Sequence, residues 1–321
     1  MKLKFVYILF LSFLIADSSY EKIDFISANP FTFRDIILDL ENQESQNVFG
    51  ILRLPENNQQ KKYPLIIGVA GSNGWGDHHH EFLSMYRKMG IATLELKSFE
   101  SRGVKSTVGS QVEVTTAMMI LDSYRALDAI SKHPNIEKTK VAITGWSLGG
   151  GVSLLSSWLP LIKAIKPKEK FVAHLPFYPP CIFQPEVLEF TDAPIHILIG
   201  ELDDWTPADA CVSLIEELKS KNYNANITVY EKSHHSFDSN LPIEIAENGY
   251  RLNDCMFKMR GDGTILMNYF NIPVVYPFLQ KIALGLCAER GPTFGGNEIS
   301  RAKAFDFSKD FMKKYLLSEQ K

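Results

Sequence analysis

Three short stretches carry residue types that could do chemistry together. Gly145-Trp-Ser147-Leu-Gly149 directly follows the strand-like run Lys140 to Ile143. Gly200-Glu-Leu-Asp203-Asp204-Trp-Thr-Pro207 follows the apolar run Ile195 to Ile199, and Glu231-Lys-Ser-His234-His235-Ser-Phe-Asp238 follows Ile227 to Tyr230. A serine becomes a nucleophile when a histidine takes its proton and a carboxylate orients that histidine. The G-x-S-x-G spelling adds a steric reason. A serine held in a tight strand-to-helix turn needs nearly hydrogen-sized residues two before and two after it, or they strike the neighbouring strand or the helix. The backbone N–H of Leu148 then faces a developing oxyanion at the positive end of a helix.

The order serine, acid, histidine, with each acid and base just past a strand's carboxyl end, places all three on one edge of a sheet. Asp203 and Asp204 are adjacent, as are His234 and His235, and periodicity does not choose within either pair. A second oxyanion donor is expected from Ala70-Gly71-Ser72-Asn73-Gly74, where glycines let backbone approach a substrate, with Ser72 N–H as candidate. Trp75, Trp146 and Trp205 lie beside these motifs and can line an apolar acyl pocket. His78-His79-His80 lacks the spacing that would put three ligands on one face, so it reads as the opening of a helix over 81–89 rather than as a metal site.

The elements that must position these residues alternate in type. Strand-like runs occur at 47–54, 65–69, 91–96, 140–143, 171–175, 195–199 and 227–230. Between them lie segments of helical spacing, such as Met118, Leu121, Leu127 and Ile130, or Leu214, Ile215 and Leu218. Such alternation predicts an α/β fold, a mostly parallel sheet with helices on both faces. Residues 238–297 break the rhythm with Gly261-Asp-Gly263, Pro273, Pro277 and Gly295-Gly296; a stretch this long is functional or a subdomain. A last helix is expected over 299–317, with Phe307, Phe311 and Tyr315 as a core stripe.

With 321 residues, 45% hydrophobic and 22% charged, the composition is that of an ordinary globular protein. The formal net charge of −3 gives no basis for nucleic-acid binding. Basic Met1 to Lys4, apolar Phe5 to Ile15 and then Ala16-Asp-Ser-Ser19 have the layout of a signal peptide over residues 1–19. The apolar run is too short to cross a bilayer, so the processed protein, one domain over 20–321, is expected to be periplasmic or secreted, without stable membrane association. Cys181, Cys211, Cys255 and Cys287 permit two disulfides in three connectivities, with no C-x-x-C pair. Cys181 and Cys211 each follow a predicted strand at the edge where the active-site loops gather, which favours that pairing.

The chain resembles the dienelactone hydrolase family of α/β-hydrolases, in its exported serine-containing members. The marks are Ser98-Phe-Glu-Ser-Arg102-Gly103, Gly145-Trp-Ser-Leu-Gly-Gly, Gly200-Glu-Leu-Asp-Asp-Trp-Thr-Pro207, Tyr230 with His235-Ser-Phe237, and Gly295-Gly-Asn297. The resemblance implies the α/β-hydrolase fold and a serine hydrolase of small-molecule carboxylic esters that needs no cofactor or metal. The family's Gly-x-x-Asp-x-x-x-Pro pattern selects Asp203, and its Tyr-x-x-x-x-His-x-Phe pattern selects His235. Arg102 falls where the family places an arginine that grips a substrate carboxylate. The founding enzymes carry a cysteine nucleophile and a supporting glutamate after the third strand; here Ser147 stands instead, and 69–76 holds no carboxylate. Amide hydrolysis on the same residues, or an idle binding protein of the same fold, are the alternative readings.

Overall fold

In the computed structural model, residues 20–56, 61–268 and 270–318 are described, so the segment 1–19 read as a signal peptide lies outside them. Eight strands form one sheet: β1 (Tyr20–Ala28), β2 (Ser45–Arg53), β3 (Tyr63–Val69), β4 (Ala92–Leu96), β5 (Ile136–Trp146), β6 (His174–Phe177), β7 (Ile195–Gly200) and β8 (Ala225–Tyr230). Their order is β1-β2-β4-β3-β5-β6-β7-β8. Only β2 runs against the rest, pairing antiparallel with β1 and with β4. Every residue of β3 and β4 is buried, as expected where helices cover both faces of a parallel sheet.

Among the helices around this sheet are α1 (Phe33–Asp39), α2 (Asp77–Lys88), α3 (Thr116–Ile130), α4 (Leu148–Leu155), α5 (Leu159–Ile165) and α6 (Ala208–Ser220). The strand order reverses between β3 and β5, because one crossover from β3 leads outward to β4 and the next returns past it. A crevice opens outside the carboxyl ends at such a reversal. The register sets Val69 of β3 beside Gly145 of β5, so the Gly-rich loop and the serine turn leave the sheet side by side.

Sequence and structure differ at several places. Strand β1 and helix α1 were not expected; β1 is an edge strand with most of its side chains exposed or half-buried, so its alternation is weak. The strand expected at 171–175 is centred later, on His174–Phe177, and includes Pro176. Helix α2 starts at Asp77, not at Glu81, because Gly76 N–H donates to His79 Nδ1 at 3.0 Å and closes the first turn around the histidine run.

Residues 238–297 leave the sheet and return to the same place. Glu244–Ile245 pairs with Thr293–Phe294, and Tyr250–Arg251 with Glu289–Arg290. Farther out, Phe257–Met259 pairs with Ile265–Leu266 and also, in parallel, with Phe183–Pro185. Helix α7 (Pro277–Cys287) closes the excursion, and a second hydrophobic cluster of Ile182, Leu252, Phe257, Val274 and Leu284 fills it. Two disulfides are present: Cys181–Cys211 joins the end of β6 to α6, and Cys255–Cys287 ties this cap to itself. Helix α8 (Glu298–Met312), N-capped by Asn297, carries Phe307 and Phe311 against His196. Among the described residues no helix is long and apolar enough to cross a membrane.

Candidate active site

Ser147 sits between β5 and α4 with φ 55° and ψ −116°, a left-handed backbone that L-residues avoid. The flanking glycines make this turn possible. A Cβ on Gly145 would lie 2.1 Å from the Gly149 carbonyl oxygen, and one on Gly149 would lie 2.2 Å from that of Val69. No side chain fits at those distances. Helix α4 begins at Leu148, so its N–H belongs to the first turn, where backbone donors lack intrahelical acceptors. Ser72 follows Gly71, whose α-carbon faces Trp146 O and Ser147 Cβ, and Ser72 N–H has no acceptor among the described residues.

His235 and Asp203 are both buried. His235 Nε2 lies 2.9 Å from Ser147 Oγ, and its Nδ1 lies 2.8 Å from Asp203 Oδ2. Three donors in the Asp203 loop fix that carboxylate. Trp205 N–H and Thr206 N–H donate to Oδ1 at 3.0 and 2.8 Å, and the Thr206 hydroxyl lies 3.1 Å from Oδ2. The neighbouring residues of each pair turn elsewhere. Asp204 accepts Thr293 N–H at 2.8 Å and pairs with Arg251 at 2.9 Å, both in the cap. His234 Nδ1 is 3.2 Å from Leu202 O, at the surface.

Trp205 packs 5.0 Å from the His235 ring and lines the site. Trp146 is fully buried, stacked on His79 and Phe177, and lies along the polar cleft that holds Ser147 and His235. Arg102 departs most from expectation. Its guanidinium forks onto buried Asp122 at 2.7 and 3.2 Å and also donates to Asn29, Ser98 O and Ala28 O. With its donors spent inside the protein, Arg102 has nothing left for a substrate carboxylate. The ion pair ties α3 to the loop after β4 and to the end of β1.

Three residues that matter here were not singled out from the sequence. Asp238 is fully buried and accepts Trp146 Nε1–H at 3.0 Å and Tyr178 O–H at 2.9 Å. Burial and the Asp238 charge push the Tyr178 phenol well above its ordinary range, so it stays a donor. Its ring packs 4.6 Å from that of His235. Thr206 bonds Asp203, and its hydroxyl also lies 3.0 Å from Tyr178 O. The signal for Thr206 is its place three residues after the acid; Asp238 and Tyr178 have no local signal, being 60 residues apart. The histidine run splits three ways. His79 stacks on Trp146, His80 stacks on Trp75, and His78 sits 3.9 Å from Asp238. Burial lowers the pKa of His78, and that of His79 further, so both are neutral near pH 7.

The family model of the dienelactone hydrolase family matches residues 85–256, more than half of the chain. Among solved structures, m3DLH is similar with a TM-score of 0.58 at 15% identity, covering 93% of this chain and 98% of its own. A dienelactone hydrolase-like promiscuous phosphotriesterase from metagenomic libraries has a TM-score of 0.53 at 14% identity, covering 92% and 98%. At such identities the likeness is one of fold. The comparison with curated proteins gives no match.

Proposed function

Because the chain belongs to the dienelactone hydrolase family, a family of ester hydrolases, we propose that it cleaves small-molecule carboxylic esters with Ser147 as nucleophile, His235 as general base and Asp203 as orienting acid. The observation that carries this reading is one imidazole bridging Ser147 Oγ at 2.9 Å and a buried carboxylate at 2.8 Å. His235 Nε2 takes the serine proton as Oγ attacks the ester carbonyl. The C–O bond to the alcohol breaks, and His235 returns the proton to the leaving oxygen. Water, activated by the same nitrogen, then releases the acid from Ser147. Asp203 holds the Nδ1–H tautomer and stabilises the imidazolium. Leu148 N–H and Ser72 N–H receive the oxyanion, each typically contributing a factor of about a hundred to a thousand in turnover.

Residues 20–321 are read as one catalytic unit, exported behind the segment 1–19. The two disulfides support an oxidising compartment, periplasmic or extracellular. Ser147→Ala is expected to lower p-nitrophenyl butyrate hydrolysis by about 10⁴-fold or more with an unchanged circular dichroism spectrum. Full turnover in that variant would rule Ser147 out as nucleophile.

A further inference from the structure

Two spaces of different character meet at Ser147. One is a cavity of about 110 Å³, reached by Ser147, Leu148 and Ser72 and roofed by the cap through Leu252, Phe257, Ile265, Val274, Ala283 and Leu284. Apart from the Tyr250 phenol, no ionisable side chain among the described residues lines it. The other is a wider, more polar cleft lined by His235, His78, Asn73 and Glu244, which also reaches Ser147 and Ser72. Trp205 stands between the two, lining both.

Proton transfer decides which half of an ester enters which space. The leaving alcohol oxygen must receive a proton from His235 Nε2, so it departs on the His235 side. His235 lines the polar cleft and not the cavity. Leu148 lines the cavity and not the cleft. Resting on the catalytic reading above, we propose that the cap-roofed cavity is the acyl site and that the substrates are esters of uncharged, apolar acids longer than acetate. A carboxylate on the acyl chain would lose its hydration there with no cation to meet it. Arg102, expected from the sequence to grip such a group, is spent on Asp122.

The test is a series of p-nitrophenyl esters on the full chain: acetate, butyrate, hexanoate and hemisuccinate. Each methylene buried in the cavity adds up to about a fourfold gain in kcat/KM, from ~0.8 kcal/mol per methylene. Butyrate is therefore expected to exceed acetate by about tenfold, and hemisuccinate to fall far below butyrate. Ala283→Phe fills the cavity and is expected to lower the hexanoate-to-acetate ratio at least tenfold. Leu284→Ala, which makes room instead, should move the optimum to longer acyl chains. A flat acyl profile in the wild type, hemisuccinate equal to butyrate, or ratios unmoved in both variants would overturn the acyl-site assignment. The same series on Ser147→Ala separates the two readings. Activity that survives there sinks the catalytic reading, whereas Ser147-dependent activity with a flat profile sinks only the cavity.

Discussion

The site is built from two regions held by different means. Ser147, Asp203 and His235 leave strands β5, β7 and β8, whose register is fixed by parallel ladders such as Val69 beside Gly145 and Gly200 beside Tyr230. In the roof over the apolar cavity the ladders are short, the parallel one of Phe257–Met259 with Phe183–Pro185 spanning three residues. The roof is a closed excursion of two- and three-residue strand pairs, one helix, one disulfide and the Asp204–Arg251 ion pair. It relies on a hydrophobic cluster of its own, around Leu252, Phe257 and Leu284, separate from the core around the sheet. The two regions are joined at adjacent residues: Asp203 faces the histidine, and Asp204 faces the cap. On the proposed reading, a frame of strand-borne residues sets the 2.9 Å distance from His235 to Ser147 and the cap sets the acyl space, so chemistry and acyl choice are expected to be separable.

Substitutions can break or sharpen that separation. The largest effect is expected in the frame. Asp203→Asn keeps the shape of the side chain but favours the wrong tautomer of His235, and should lower kcat about 10⁴-fold. Steady-state kinetics on p-nitrophenyl butyrate measures it, and a loss under tenfold would remove Asp203 from the triad. Next is the cap. Replacing Cys255 and Cys287 together by serine opens a link between residues 32 apart, which in a chain-entropy account is worth about 3 to 4 kcal/mol. Urea unfolding should show that loss, with the acyl-length profile broadened and reaction of Ser147 with a fluorophosphonate probe retained; loss of that reaction would couple the two regions.

The smallest expected effect is a pH dependence of the frame. His174 is fully buried, and burial lowers its pKa to about 4, so the folded protein holds it neutral. Unfolded, it takes a proton below about pH 6.5. The stabilisation is therefore complete above pH 6.5 and is lost as pH falls toward 4, by up to about 3 kcal/mol from this residue. His174→Phe should flatten that part of the urea-unfolding free energy against pH. An identical slope in the variant would remove His174 as its source.

How much was legible in the sequence follows the same division. The elbow could be read because Gly145 and Gly149 have no physical alternative, a Cβ at either meeting backbone at 2.1 to 2.2 Å. Buried strands such as β3 announce themselves as apolar runs. The choice between Asp203 and Asp204 was not readable from local pattern, since it depends on Thr293 and Arg251 approaching from about 50 to 90 residues away. Arg102 misled for a similar reason: its partner Asp122 lies on α3, across a crossover. The cap was legible only as a break in rhythm, because two-residue strands such as Glu244–Ile245 carry no period at all.

On the proposed mechanism, Ser147 carries the acyl group between the two half-reactions. Acid-quenching the protein during p-nitrophenyl butyrate turnover, followed by mass spectrometry of its peptides, tests it directly. A butyryl adduct is expected on the peptide containing Ser147, absent from Ser147→Ala and accumulating in a variant with impaired deacylation such as His235→Ala only to the extent that acylation survives. A butyryl adduct on another residue of a turning-over enzyme, or turnover by Ser147→Ala at the wild-type rate, would contradict it.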